Sequence, residues 1–306
     1  MRWVAFQHNG GGERIGIVVD GRIHAAETGL NLTEAMSREP DGLTALGLAL
    51  QQMPNAVFDY EAVRIGPPIR RPPSFRDFMA FEAHVRNSFG RDPNPAWYEA
   101  PGFYFSNPAA MVGTDATVVI APGCEKWDFE LEIGVVVGRA GQDLTPAEAE
   151  RCIAGYTILC DYSARDLQIR ESAIGLGPVK GKDTATGFGP CLVTPDELTE
   201  FFRDGRLHLE AQAEINGAVV TRARSGDMHW SFGQMLAYAS RGTSLFPGDV
   251  IGSGTLGRGC IFELRALNGK DSADWLRPGD RLTLTIEQLG SLSATMAAGK
   301  APVPLS

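Results

Sequence analysis

The 306-residue sequence predicts an α+β protein, rich in strands and short of helices. Three observations predict it. Apolar runs of strand length recur at Trp3–Phe6, Ile15–Val19, Thr117–Ile120, Leu131–Val137, Ala154–Leu159, Leu207–Ile215 and Leu282–Glu287. Turn signals separate them: Asn216-Gly217 marks a hairpin, and the Pro-Gly-Asp turns at Pro247–Asp249 and Pro278–Asp280 each lead into an apolar segment. Helical spacing is confined to a few segments, and strands and helices do not alternate as a doubly wound sheet requires.

Taken in order, the first two runs flank the glycines Gly10–Gly12 and form an N-terminal hairpin, and residues from about Leu32 to Met53 have a helical period. The stretch RIGPPIRRPPS, Arg64 to Ser74, is dense in proline and breaks regular structure. The domain boundary falls there, giving a small N-terminal domain over 1–66 and a larger one over 67–306. Beyond it, Phe78, Phe81 and Val85 have helical spacing, with Ser74 and Asp77 spaced as a capping box. In WDFELEIGVVVG, Trp127 to Gly138, Phe129, Leu131 and Ile133 point one way along a strand, and Asp128, Glu130 and Glu132 the other. A helix follows later, from about Ser231 to Ser240.

The composition, 43% apolar and 21% charged, is that of a globular protein. A net charge of -9 argues against nucleic-acid or anionic-membrane partners, and no stretch approaches the roughly 18 apolar residues of a membrane span. The five cysteines are scattered, with no C-x-x-C pair, so buried thiols in a reducing cytoplasm are expected. The N-terminus lacks the apolar core of a secretory signal.

Several motifs mislead. GSGTLG, Gly252 to Gly257, matches the dinucleotide fingerprint, but that needs a helix after it, and RGCIFELRAL is expected to be a strand. Gly181–Asp183 has Asp where a phosphate-binding loop needs Ser or Thr, and Ser163 and Ser253 lie in no G-x-S-x-G elbow. Two carboxylates two apart on a strand, Glu130 and Glu132, either face solvent and pair across the sheet or converge on a hard cation. Asp161, at the end of an apolar strand, adds a third acid; its alternative is a turn or helix cap. Arg165 either grips a substrate carboxylate through its planar fork or pairs with Asp166 or Glu171.

The ordered series W-D-F-E-L-E-I-G-V-V-V-G, G-Y-T-I-L-C-D-Y-S-A-R-D-L-Q and G-P-V-K-G-K-D-T resembles the fumarylacetoacetate hydrolase family over roughly residues 75 to 265. The resemblance implies a mixed β-sandwich roll as the catalytic core, a small β-rich N-terminal domain and a homodimer. It implies metal ligation by Glu130, Glu132, Asp161 and Asp77, with Mg2+ or Mn2+ as the cation and Ca2+ as a third candidate. Arg165, Gln168, Tyr104 and Thr255 match substrate-contacting positions, Lys182 matches an active-site lysine, and His84 matches the histidine that activates water. Imidazole suits that task because its pKa lies near neutrality. From its residue type alone, His84 reads first as a half-buried histidine beside Phe81.

The pattern departs at the acid that orients this histidine. Ser253-Gly254-Thr255 is followed by Leu256, and one helical turn after His84 stands Asn87, so neither expected place holds a glutamate. Glu82 precedes His84 by two and points away on a helix. The orienting acid is therefore supplied from elsewhere or absent. Met79 stands where fumarylacetoacetases carry tyrosine. The implied activity is metal-dependent C–C hydrolysis of a small anionic 1,3-dicarbonyl, an acylpyruvate or related diketo acid. Decarboxylation, isomerisation or hydration of a 2-oxo acid is the rival outcome, and an inactive metal-binding scaffold the third.

Overall fold

The computed structural model describes residues 1–38 and 42–305. The chain opens with β1 (Arg2–Gln7), β2 (Arg14–Val19) and β3 (Arg22–Ala25), an antiparallel meander whose first turn spans the expected glycine cluster. Two helices follow, α1 (Leu32–Met36) and α2 (Gly42–Gln52), then β4 (Ala56–Asp59). Next come β5 (Phe75–Phe78), α3 (Glu82–Phe89), β6 (Phe103–Phe105) and β7 (Ala116–Val119). The long central strands are β8 (Leu131–Val137), β9 (Ile153–Asp161) and β10 (Thr186–Val193), with α4 (Arg165–Ser172) between the last two. The remainder comprises β11 (Glu210–Ile215), β12 (Ala218–Arg224), α5 (Phe232–Ala239), β13 (Val250–Gly252), α6 (Ile261–Asn268), β14 (Arg281–Ile286) and β15 (Gly290–Ala297).

Two mixed sheets result. The larger runs β4-β3-β2-β1-β10-β9-β8-β13-β5-β6, antiparallel except for β13 against β5. The N-terminal strands thus extend the same sheet as the central ones, joined where Arg2 pairs with Val193. The smaller runs β12-β11-β14-β15-β7. Ile133, Val135 and Ile158 on one face of the larger sheet share a core with Leu282, Leu284 and Leu292 of the smaller one. This is a sandwich, because each sheet buries one row of alternating apolar side chains against the other. On the opposite face, Val136, Leu159 and Phe188 pack with Leu32, Leu43 and Leu50 from the N-terminal helices. The central strands are covered on both sides, which explains their unbroken apolar runs.

Local chemistry accounts for the turns. Asn216 and Gly217 take φ of 52° and 81°, the positive values a two-residue hairpin demands, and join β11 to β12. Gly248 and Gly279 take φ of 91° and 94° in the two Pro-Gly-Asp turns, which lead into β13 and β14. Ser231 caps α5 in a reciprocal box with Gln234.

Two expectations are corrected. The segment from Phe78 to Val85 is not one helix: Phe75–Phe78 is the strand β5, and α3 begins at Glu82. Ser74 caps nothing there and instead donates to Asp249 at 2.7 Å, while Asp77 lies within the strand. Parallel pairing with β13 overrides the helical spacing. The residues after the glycine-rich turn, expected as a strand, form the helix α6. Its N-terminal amides are capped by a distant acid, Asp128, which accepts from Ile261 N at 2.8 Å and Phe262 N at 3.0 Å. The strand-then-helix context of a dinucleotide fingerprint is therefore present, but the glycines serve another purpose, described next.

Candidate active site

Three acids meet at the ends of the central strands. The register sets Asp77 opposite Gly252 on one side and Tyr104 on the other. A Cβ on Gly252 would fall 2.2 Å from Asp77 Oδ1 and 3.2 Å from Glu132 Oε2, so only glycine lets these carboxylates share the space. The next glycine, Gly254, donates its amide to Glu132 Oε2 at 3.0 Å. Asp161 enters from the end of β9. Oxygens of Asp77, Glu132 and Asp161 lie within 4.8 Å of one another, and the three residues are at most 1% exposed.

Such crowding opposes ionisation. Burial, then the Asp161 charge, pushes Asp77 up to about 7. Burial, then Asp77, pushes Glu132 well above the usual carboxylate range, and burial also raises Asp161 against the pull of Lys182. Asp77 Oδ1 and Asp161 Oδ1 are buried with no hydrogen-bond partner. Buried carboxylates converging from three strands, two of them with an unpartnered oxygen, fit a hard divalent cation, which accepts oxygen donors and offsets their mutual repulsion.

Beside them lies a cationic pair. Lys182 Nζ donates to Asp161 at 2.6 Å, to Ser163 Oγ at 2.7 Å and to Glu130. Arg165 donates to Glu130 at 2.7 Å, to Asp128 at 2.8 Å and to Gln168 at 3.1 Å. Burial alone would raise Glu130, but Lys182 and Arg165 prevail and hold it well below the usual range. Burial alone would lower Lys182, but Asp161 and Glu130 keep it above its ordinary value and charged. Of the four acids expected as ligands, three therefore converge on one another, and Glu130 is engaged by the two cations. Tyr104 donates to Asp161 at 2.5 Å and Asp77 at 3.0 Å, and burial followed by the Asp161 charge keeps the phenol protonated. Thr255 Oγ1 lies 3.5 Å from Glu132. Lys180 is exposed and pairs with Asp183, leaving Lys182 as the lysine of the site. Arg165 takes neither expected partner: Asp166 accepts from Glu125 N at 2.8 Å, and Glu171 from the amides of Val179, Lys180 and Gly181.

His84, the expected base, lies on α3. Its Nδ1 lies 2.7 Å from Glu263 Oε1, on α6. Glu263 is fully buried, and its other oxygen accepts from Asn87 Nδ2 and Arg258 N, each at 2.7 Å. This is the orienting acid that both expected places lacked. Asn87, standing where the glutamate was sought, instead holds it. Sequence reasoning missed Glu263 because α6 was expected as a strand; the signal available was Ile261 and Leu264, three apart and both apolar. Glu82 bonds Tyr98 and Arg86, away from His84. Asp128, which had no role beyond lying on the acidic face, joins Arg165 to the start of α6.

A cavity of about 510 Å³ opens onto this cluster: Asp77, Glu130, Glu132, His84, Arg165 and Lys182 line it, as do Tyr104, Gln168 and Thr255, with Asp161 behind that lining. The size is that of a small-molecule site. The arrangement sets a proton acceptor, a group of hard oxygen donors and a buried ammonium around one space.

Residues 74–297 match the family model for the fumarylacetoacetate (FAA) hydrolase C-terminal domain. The chain belongs to the fumarylacetoacetate hydrolase family. A solved fumarylacetoacetate hydrolase from psychrophilic Exiguobacterium antarcticum shares the family fold at a TM-score of 0.77 and 25% identity, over 97% of this chain and 99% of that one. A maleylpyruvate hydrolase from Sphingobium sp. SYK-6, solved with manganese(II) and pyruvate, superposes at a TM-score of 0.73 and 22% identity, over 98% and 100% of the two chains. The oxaloacetate tautomerase of Bacillus subtilis is 33% identical over 169 residues, 54% of this chain and 50% of that protein. The match thus spans half of the tautomerase. The family's members are enzymes with hydrolase, isomerase and tautomerase activities. No helix among the described residues is long and apolar enough to cross a membrane.

Proposed function

We propose that this family member is a divalent-metal-dependent hydrolase that cleaves a C–C bond of a 1,3-dicarbonyl acid such as an acylpyruvate. The observation that carries the reading is the His84–Glu263 pair, whose histidine lines the cavity together with Asp77, Glu130 and Glu132. With Nδ1 committed to Glu263, Nε2 is the ring nitrogen left to take a proton from water. The oxygen of that water bonds to the distal carbonyl carbon, and the bond from that carbon to the methylene breaks. The electron pair passes to the pyruvate fragment as an enolate, which a proton then quenches, giving a carboxylic acid and pyruvate.

Asp77, Glu132 and Asp161 would hold Mg2+ or Mn2+, and Glu130, which lines the same cavity, would become a fourth donor on releasing Lys182. The cation would supply Lewis-acid polarisation of the dicarbonyl oxygens. Lys182, kept charged among acids, stabilises negative charge on the departing fragment. Arg165 and Gln168, bonded to each other, form a fixed wall that orients the substrate. Tyr104 holds a hydroxyl proton at the acids and fixes their rotamers.

A second reading has one supporting observation, the similarity to an oxaloacetate tautomerase. Tautomerisation needs the cation and a proton acceptor but no attacking water. Loss of the enol absorbance of acetylpyruvate with Mn2+, followed by product analysis, separates the two. Acetate plus pyruvate in equal amounts supports hydrolysis. Faster approach of a freshly dissolved tautomer to the same keto–enol equilibrium, with no fragments, overturns it in favour of tautomerisation.

A further inference from the structure

The cavity has two chemically distinct depths. At its floor lie the acids Asp77 and Glu132, each 1% exposed, with Glu130 beside them. Toward its mouth the lining turns apolar: Phe89 from the end of α3, Phe103 from β6, Ile169 from α4, then Met79, Pro178 and Phe262. Phe89 and Ile169 are each 58% exposed, so large apolar side chains stand in the opening without protein covering them.

The cations tell the same story. Among the lining residues only His84, Arg165 and Lys182 can carry positive charge. Each is already bonded to carboxylates: His84 to Glu263, Arg165 to Asp128 and Glu130, Lys182 to Glu130 and Asp161. Arg86 on α3 pairs with Glu82 and Asp92, and Lys180 pairs with Asp183. Arg170 follows Ile169 directly, and adjacent helical residues do not share a face; it does not line the cavity. The lining therefore offers no uncommitted cation to a second carboxylate, and packing one against Phe89 and Ile169 strips part of its hydration without a partner in return. Ser88 Oγ, buried without a hydrogen-bond partner, adds one uncharged polar contact.

We infer that the substrate carries its single charge at the 2-oxo acid end and an uncharged, mainly apolar chain at the other, with Phe89 and Ile169 selecting that chain. The identity of the head rests on the function proposed above; the selectivity for the tail rests on the cavity wall.

The test has two arms on the Mn2+-loaded full chain. The first measures kcat/KM for acylpyruvates of increasing acyl length, and for partners of matched length ending in a carboxylate. The second measures binding of unreactive straight-chain 2-oxo acids and their ω-carboxylates by calorimetry. Affinity and kcat/KM should rise about 3- to 4-fold per methylene until the wall is filled, as expected for about 0.8 kcal/mol per methylene. The ω-carboxylates should trail on the order of 100-fold. Ile169→Arg, at an exposed position, should raise the ratio of ω-carboxylate to neutral ligand on the order of 10-fold. Length-dependent binding without cleavage would sink the hydrolase reading and leave the tail inference standing. Cleavage with flat length dependence, or with ω-carboxylates preferred, would overturn the tail inference alone. Absence of binding by every 2-oxo acid would overturn both.

Discussion

Glu132 and Glu263 are both buried acids of one site, yet they were not equally visible. Glu132 sits on a strand whose neighbours announce it: an acid every second residue where a solvent face would have to be, and none of them more than 6% exposed from Asp128 to Glu132. Glu263 sits on α6, a helix whose start is capped from 133 residues away by Asp128. The first acid is specified by a local period; the second exists as a functional group only after two distant segments meet. The lesson is that a set of acids carried on strands shows in the sequence, whereas the partner of a histidine is a property of packing.

The sharpest way to break this comparison is Glu132→Ala. If the three convergent acids are the metal group, Mn2+ affinity and turnover should both fall by more than about 1000-fold, since a buried ligand leaves no substitute. Calorimetry and circular dichroism should show a folded protein that no longer takes metal; unchanged turnover would refute the assignment. Glu263→Gln tests the other member. It should lower kcat by about 100- to 10,000-fold, the range of a misdirected general base, while Mn2+ affinity stays within about threefold. A comparable loss of metal affinity would erase the distinction between the two acids.

A pH series sharpens the comparison further. Asp77 rises from an ordinary 3.8 to about 7 in the folded protein, so the folded state binds its proton more tightly than the unfolded one. That contribution to stability is complete below the unfolded value and is lost as pH rises through about 7. The metal-free protein should therefore lose stability over that window, and the gain in Tm on adding Mn2+ should grow across it. A gain that is constant with pH would show that Asp77 is not a ligand. The smallest effect belongs to Asn87→Ala, which removes one of four groups bonded to Glu263, beside His84, Arg258 N and Cys260 Sγ: kcat should fall roughly 10-fold, as for a lost supporting hydrogen bond, with KM and metal affinity unchanged.

Much of the fold was legible. The strand runs, the Asn-Gly hairpin, the Pro-Gly-Asp turns and the helix over 232–239 all depend on interactions within a few residues. The two misreadings share a cause. Phe78 and Phe81 carry helical spacing, but Asp77 pairs with Gly252 in a parallel ladder. RGCIFELRAL alternates well enough for a strand, yet a remote carboxylate and buried Ile261 and Leu264 draw it into a helix. His84, Lys182 and the acids were named from the family resemblance, and the structure brings them together around one cavity. That Glu130 would be held by both cations, and that Asn87 would act through Glu263, required the tertiary arrangement.

Asp128 gives these parts a common joint. One carboxylate clasps Arg165, which in turn holds Glu130, and also fixes the first turn of α6, which carries Glu263 to His84. A shift in either the acid side or the base side is thereby transmitted to the other, so descent with modification must carry the reacting centre along as a block. Phe89 and Ile169 take no part in that linkage, so on the proposed reading the chain is free to trade one range of acyl groups for another while the centre beneath stays unchanged.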